Sequence, residues 1–528
     1  MSSVVPSISP RTGDVVEVVA SETPTASVDR ICRAAAAAAE ALDALGRDGR
    51  AALLEALAQA LEDARARVVA VADRETGLGE ARLNGELTRT CYQLRLFASV
   101  LTDGGYLEAT IDHAGDTPMG PRPDLRRMLV PLGPVAVFGA SNFPLAFSVP
   151  GGDTASALAA GCPVVLKAHP SHPATSKLCF EILTEAARKA GAPEGTFGIV
   201  YGQQAGADLV AHPEIRAVGF TGSTGAARAL LAVIEQRPEP IPFYGELSSL
   251  NPIVVTPAAA AERAPRIGTD LAASFTMGAG QFCTKPGLAF VPAGPDGDSL
   301  VQAVQDAIDG LEPMVMLNGG IAAAFTRGTA VLSTVPGLTP AVPAPANDFA
   351  AVGPDAAAAG APAGSRNAVA DGGGFRGTPV LLTTTAAELP PEATEECFGP
   401  VTVVARYQDE SELFAALATL PNSLTATVHR GADETALPAE LTRRLRSRAG
   451  RIVYDGYPTG VAVSWAQHHG GPWPATNTQH TSVGTTAIRR FLRPVVWQNA
   501  PADLLPPELR DEYDSIPRRV DGRLRPIP

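Results

Sequence analysis

Three residue types in this sequence stand where covalent carbonyl chemistry would need them. Cys283 lies in Met277-Gly-Ala-Gly-Gln-Phe-Cys-Thr-Lys-Pro-Gly287, a glycine-punctuated loop with Lys285 two residues on. Such a setting is expected to lower a thiol pKa and leave the sulfur accessible to an electrophile. Glu246, in Tyr244-Gly-Glu-Leu-Ser-Ser-Leu-Asn-Pro252, is an isolated acid at the expected end of a strand. A half-buried carboxylate of that kind has a raised pKa and serves as a general base, whereas a solvated or ion-paired acid would not. Asn142, ahead of Phe143-Pro144, is either a turn former or a side-chain amide donor for a developing oxyanion.

Other candidates carry a weaker signal. In Phe220-Thr-Gly-Ser-Thr-Gly225, Gly222 permits a tight turn and Ser223 can cap the next helix. The free N–H groups of that helix could then face a phosphate, although a plain N-cap explains the pattern equally well. The fingerprint G-x-G-x-x-G is missing after the first core strand, where Gly139-Ala-Ser-Asn-Phe-Pro-Leu145 stands instead. The eight histidines suggest no metal site. His169 and His172 are separated by two residues with prolines around them and read as a surface loop, and His468-His469 beside Gly470-Gly471 as a loop near a subunit contact or a pocket mouth. Cys32, Cys91, Cys162 and Cys179 read as inert buried thiols, with Cys397 the next most plausible reactive one after Cys283.

The elements that must position these residues follow from hydrophobic periodicity. From Val28 to about Leu101 apolar residues such as Leu54, Leu57, Leu61 and Val68 recur at helical spacing. Between 133 and 255 short β-branched runs alternate with Ala/Leu-rich runs. Strands are expected at Val135 to Phe138, Val164 to Lys167, Gly198 to Tyr201, Val218 to Thr221 and Ile253 to Val255, and helices at Gly152 to Ala160, Thr175 to Lys189 and Thr224 to Ile234. That alternation predicts a doubly wound parallel α/β sheet. A long helix ending before Gly278 and a second α/β region to about Gly470 follow. Residues 338 to 375 are dominated by Ala, Pro and Gly and read as a surface excursion outside the chemistry, and the tail from Pro501 is expected along a surface or a partner subunit.

Composition bounds the rest. The chain has 528 residues, 45% of them hydrophobic and 18% charged, which predicts an ordered globular protein of several domains. With 42 Lys and Arg against 55 Asp and Glu, the net charge is −13, and no basic block is present, so nucleic acid is not an expected partner. No apolar run is long enough to span a bilayer, no leader is apparent, and the scattered cysteines form no C-x-x-C pair; a cytoplasmic location is expected.

Taken in order, Asn142-Phe-Pro, Phe220-Thr-Gly-Ser223, Glu246-Leu, Gly280-Gln-Phe-Cys283 and Glu395-Glu-Cys-Phe-Gly-Pro400 resemble the motif set of the aldehyde dehydrogenase superfamily. The resemblance runs from the N-terminal helices to about Asn499. Gly139 to Ser148, Gly151 to Cys162 and Gly470 to Ala475 resemble the branch that oxidises 2,5-dioxopentanoate (α-ketoglutaric semialdehyde), a relative of fatty aldehyde dehydrogenases. By that resemblance Cys283 is the nucleophile, Glu246 the general base and Asn142 an oxyanion donor. Lys167 contacts the adenosine ribose, Gly222 and Ser223 the pyrophosphate side, and Glu396 with Phe398 the nicotinamide-ribose side of NADP or NAD. NAD-preferring relatives carry a Glu three residues after the lysine; here that position is Pro170, which favours NADP with NAD tolerated. The resemblance further implies a cofactor domain at 1–110 and 132–247, a catalytic domain at 248–470, a small β bridging element at 111–131 and 485–500, and a homodimer or homotetramer. Two alternatives stay open: a medium- or long-chain fatty aldehyde dehydrogenase, and a Cys-dependent acyl hydrolase, which would want a histidine near Cys283. For a short acidic substrate a cation is needed at the far end of the pocket, and Arg493 with its neighbours is available.

Overall fold

The computed structural model of the chain describes residues 3–341 and 373–526. Residues 342–372, most of the Ala/Pro/Gly-rich stretch expected as a surface excursion, lie outside the described residues.

The first sheet is parallel and five-stranded, in the order Phe243–Glu246, Ala217–Thr221, Val135–Phe138, Val164–Lys167, Phe197–Val200. Strand residues alternate between two apolar layers, as the two-residue period requires. Val135, Val137, Val164 and Leu166 pack with Leu54, Leu57, Leu61 and Leu87 of the N-terminal helices. Ala136, Phe138, Val165 and Val218 pack with Val28, Leu209 and Ile234 on the opposite face. Burial on both faces is why these strands read as continuous apolar runs. The chain turns back across the sheet at Val135–Phe138, so the crevice beyond the ends of Phe138 and Thr221 is the topological switch point where such sheets take ligands.

The expected elements of this region are present with shifts of a residue or two, but Ile253–Val255, expected in this sheet, belongs to the second. The helix expected from Thr175 starts at Pro173, which occupies the first turn where a missing N–H costs nothing. A helix at Gln203–Ala211 lies between two strands that the sequence reading placed in succession; it is short and contains Gly206 and Asp208, which dilute its apolar stripe.

The second sheet is seven-stranded, ordered Thr339–Pro340, Val380–Thr385, Val401–Tyr407, Leu288–Pro292, Ile253–Val255, Ser423–His429, Ala449–Tyr454. All of its pairings are parallel except that of Thr339–Pro340. The Pro257–Thr276 helix, begun by Thr256 whose hydroxyl accepts from Ala259 N, ends before Gly278 as expected.

A third sheet orders Leu492–Gln498, Leu125–Pro131, Thr110–Asp112, Arg518–Val520 and Arg523–Arg525. One expectation needs adjustment and another is narrowed. Residues 485–491, assigned to a β bridging element, form a 3-10 helix with Ile488 and Phe491 fully buried. The tail pairs with its own chain through Arg518–Val520 and Thr110–Asp112, and Arg126 ties it down by ion pairing with Asp511. Among the described residues, no helix is long and apolar enough to cross a membrane.

Candidate active site

The two large sheets meet with opposite polarity. Glu246 is the last residue of its strand, at the carboxyl edge of the first sheet. Cys283 lies in the loop between the Pro257–Thr276 helix and the Leu288–Pro292 strand, at the amino edge of the second. Gly278, Ala279 and Gly280 take consecutive positive φ values of 57°, 58° and 66°, a turn that a run of L side chains resists. Gly280 is also required by packing, since a Cβ there would overlap the carbonyl of Gly399. The loop is clamped by Asn251, itself at φ 56° and fully buried. Its Nδ2 donates to the carbonyls of Cys283 (2.8 Å) and Lys285 (3.1 Å), and its Oδ1 accepts from Ser249 Oγ (2.8 Å) and Thr425 Oγ1 (3.0 Å).

Between the sheets lies a histidine that the sequence places in a loop near a subunit contact or a pocket mouth. His469 is buried, with Nε2 2.8 Å from Glu246 Oε1 and 3.5 Å from Cys283 Sγ. The second carboxylate oxygen, Oε2, accepts from Ser482 Oγ (2.7 Å). The segment carrying both partners is held along the Glu246 strand: Leu247 N donates to Ala475 O (2.8 Å) and Gly245 N to Asn477 Oδ1 (2.8 Å), while His469 N donates to Thr481 Oγ1 (2.7 Å). Cys283 Sγ, His469 and Glu246 present ligand atoms within 4.8 Å of one another. A metal ion could bridge such a set, contrary to the expectation that the histidines offer none, but the hydrogen bonds already engage Nε2 and both carboxylate oxygens.

This cluster reverses two electrostatic expectations. Burial alone would raise Glu246, but the charge and hydrogen bond of His469, with the Ser482 hydroxyl and the Cys283 thiol, outweigh it and hold the carboxyl below its ordinary range. Glu246 is only 3% exposed and stays ionised, not half-buried and raised. Conversely, burial and then the neighbouring Glu246 carboxylate push the Cys283 thiol well up. The loop therefore does not supply a preformed thiolate; Lys285 spends its Nζ on the carbonyls of Cys397 (3.1 Å) and Val401 (2.9 Å). The Cys283 residue is nonetheless only partly buried, unlike Cys32, Cys91, Cys162 and Cys179.

Asn142 comes to the same place. Its Nδ2 donates to Gln281 O (2.9 Å), two residues before Cys283, and its carbonyl accepts from Arg82 Nη2 (2.7 Å). Arg493 does not come there: it is exposed on the Leu492–Gln498 strand of the third sheet. Arg82 and Arg89, from the Glu80–Asp103 helix, stand near the loop instead. Arg82 lies over the rings of Phe143 (5.1 Å) and Phe282 (4.7 Å), and Arg89 over Phe147 (5.0 Å).

Of the residues expected to hold a dinucleotide, Lys167, Gly222 and Ser223 stand at the carboxyl ends of first-sheet strands beside the switch-point crevice. Lys167 ends its strand and is brought down to about 8 by burial; Pro170 is exposed. Gly222 and Ser223 are exposed between the Ala217–Thr221 strand and the Thr224–Glu235 helix, where Ser223 Oγ accepts from Ala226 N (3.3 Å). The N-cap reading of Ser223 thus holds, and the same cap leaves an open helix start suited to a pyrophosphate. Glu396 faces Ser248, Ser249 and Lys285, and burial raises it to about 7; Phe398 is half-buried two residues on. An exposed helix start and a lysine fit a dinucleotide. His169 is half-buried in a loop beside the exposed Pro170, and it is His172 that departs from the expected surface position. His172 is fully buried, its Nε2 2.7 Å from the Ala140 carbonyl, and burial lowers both imidazoles, so they remain neutral packing groups.

A family model described as the aldehyde dehydrogenase family matches residues 1–344. The chain belongs to the aldehyde dehydrogenase family. It is 44% identical over 505 residues to alpha-ketoglutaric semialdehyde dehydrogenase 2 of Azospirillum brasilense, covering 94% of this chain and 92% of that one. It is 42% identical over 510 residues to alpha-ketoglutaric semialdehyde dehydrogenase of Acinetobacter baylyi, again covering 94% and 92%. Among solved structures, 3,6-anhydro-L-galactose dehydrogenase in complex with NAP has a TM-score of 0.76 at 20% identity, covering 93% of this chain and 95% of that one. An aldehyde dehydrogenase from Bacillus cereus also scores 0.76 at 20% identity, covering 94% of each. These two establish the fold. This aldehyde dehydrogenase is thus an NAD(P)-dependent oxidoreductase that converts an aldehyde to a carboxylate.

Proposed function

We propose that this enzyme oxidises 2,5-dioxopentanoate to 2-oxoglutarate, with NADP preferred and NAD tolerated, through a thiohemiacetal and a thioester on Cys283. The observation that carries the chemistry is the hydrogen-bonded cluster of Cys283, His469 and Glu246; the substrate follows the two semialdehyde dehydrogenases of similar sequence.

Because the thiol is held up and Glu246 is held ionised, the sulfur needs a base at the moment of attack. As Sγ bonds to the aldehyde carbon, the thiol proton passes to Glu246, and the carbonyl oxygen becomes an oxyanion. Asn142 has a second amide hydrogen beyond the one given to Gln281, and this hydrogen with the Cys283 backbone N–H would hold that charge. NAD(P), when bound along Lys167, Ser223 and Glu396, supplies the acceptor for the hydride that leaves the substrate carbon. Glu246, relieved of its proton, then takes one from water. The hydroxide adds to the thioester carbonyl, the carboxylic acid departs, and the sulfur leaves as thiolate beside the His469 Nε2 proton.

The absence of a carboxylate at Pro170 supports NADP, since a Glu there would repel a 2′-phosphate. A cytoplasmic homodimer or homotetramer is supported by six free cysteines and by the outer edge of the third sheet, where Leu492–Gln498 has one unpaired side and an exposed Val496.

Steady-state kinetics with 2,5-dioxopentanoate, succinic semialdehyde and decanal test the substrate. The reading expects the highest kcat/KM for the first; a preference for decanal would install the fatty aldehyde reading. The hydrolase alternative lacked a histidine near Cys283, and His469 now fills that place, so cofactor-independent turnover of an acyl ester faster than cofactor-dependent oxidation would favour it.

A further inference from the structure

The Glu80–Asp103 helix brings Arg82, Glu86 and Arg89 onto one face, at spacings of four and three. Glu86 turns to the chain, its Oε1 accepting from Leu145 N (2.8 Å) and Ala146 N (2.9 Å). Arg89 does not pair with it. Arg89 Nε donates to the Val461 carbonyl (3.3 Å), while Nη1 and Nη2 are both shut off from solvent and have no hydrogen-bond partner among the described residues. Arg451, from the Ala449–Tyr454 strand, is anchored on the same segment through Pro458 O (2.6 Å) and Gly460 O (3.2 Å), and its Nε is likewise buried and unpartnered. Buried guanidinium donors left unmade are costly, so a site that keeps several of them is completed by something that binds there.

The location says what. Arg89 stacks on Phe147, 5.0 Å from its centroid, and Phe147 is 6.3 Å from the His469 ring. His469 in turn touches the Cys283 sulfur at 3.5 Å. The paired donors of one guanidinium match a planar carboxylate better than any neutral group.

We propose that Arg89, through Nη1 and Nη2 and with Arg451 beside the same segment, is a subsite for a carboxylate on the substrate, so that the aldehyde at Cys283 carries an acid group at its other end. An extended five-carbon oxo acid separates the two ends by roughly 5 Å. The proposal rests on the oxidation reading above and narrows its substrate class to ω-aldehyde acids.

The test compares kcat/KM for 2,5-dioxopentanoate, succinic semialdehyde and pentanal in wild type, Arg89→Met and Arg89→Lys, together with competitive inhibition by glutarate. In Arg89→Met the ratio of either acid to pentanal should fall roughly 100-fold, mostly through KM, and glutarate inhibition should vanish. Arg89→Lys, which keeps the charge and loses the fork, should fall less and decides the matter if the Met variant does not fold. An equal loss for acids and pentanal, or an unchanged ratio, overturns the subsite. A wild type that prefers succinic semialdehyde, with the ratio still collapsing in Arg89→Met, would overturn the 2,5-dioxopentanoate reading and leave the subsite standing.

Discussion

Two sheet edges build this site in contrasting ways. The first sheet offers its carboxyl edge, where Glu246 is fixed by regular strand pairing with Thr221 and by the segment at Ala475–Asn477. The second offers its amino edge, where Cys283 sits on an irregular loop whose shape comes from positive φ angles and from Asn251. The base therefore rests on backbone geometry that most substitutions leave alone. The nucleophile rests on a few buried side-chain hydrogen bonds, each of which a single substitution can remove. Both edges are tuned against the other's interest as well: burial first, and then the carboxylate that His469 and Ser482 keep ionised, hold the thiol protonated.

The contrast breaks first at the nucleophile. Cys283→Ala should remove burst and steady-state formation of reduced cofactor together, a fall in kcat of about 10⁴ or more. Glu246→Gln should lower turnover by about 10²–10³, through the loss of water activation. Since attack also uses Glu246, rapid-mixing experiments should find the burst slowed but retained. Equal abolition of both phases would confine Glu246 to the sulfur.

His469→Gln sharpens the claim that one edge restrains the other. Removing the imidazole leaves burial as the dominant influence on Glu246, so its pKa rises. The carboxylate then protonates at higher pH, and the acid limb of kcat against pH should move upward, with a loss at pH 7 of about tenfold or more. An acid limb that stays in place would show that His469 does not hold the carboxylate. On the other edge, Asn251→Ala strips hydrogen bonds from the carbonyls of Cys283 and Lys285 and leaves buried groups unpaired, a cost of about 1–3 kcal/mol for each. The thermal unfolding temperature should fall with it, and kcat should suffer more than KM, because the loop that aims the sulfur loosens.

What the sequence disclosed divides along the same line. Strand ends were legible: Lys167 and Ser223 follow short runs containing valines, and Glu246 follows Phe243-Tyr244-Gly245, so each could be placed where a strand stops. Cys283 was legible from its glycine-rich loop, and Asn142 from its place before Phe143-Pro144. The connections between edges were not. His469 lies 223 residues from Glu246 and 186 from Cys283, so no local spacing pairs them. The signs of both pKa shifts depended on those pairings and on burial. Arg82, Glu86 and Arg89 do have readable helical spacing, but the apolar stripe of the N-terminal helices dominates that stretch, and the sequence offers Arg493 in their place. For His169 and His172 the flanking prolines suggested a turn at the surface, whereas Pro173 opens a buried helix.

The smallest expected effect is on stability, and it concerns the segment that leads into the Val401–Tyr407 strand at the second edge. Burial lifts Glu396 to about 7, against the partial relief given by Lys285 and by hydrogen bonds from Ser248 and the Ser249 backbone. A carboxyl with a raised folded-state value holds a proton that the unfolded chain has already lost, so stability is intact below the unfolded pKa near 4.3 and falls as pH climbs toward 7. Glu396→Gln keeps the shape without the charge. Its melting temperature should therefore match wild type at pH 5 and exceed it by about 1–3 °C at pH 8. An offset that is the same at both pH values would mean that Glu396 is already ionised at pH 5, its charge met by the Lys285 ammonium, and the amino edge of the second sheet would then hold an ion pair instead of a protonated acid.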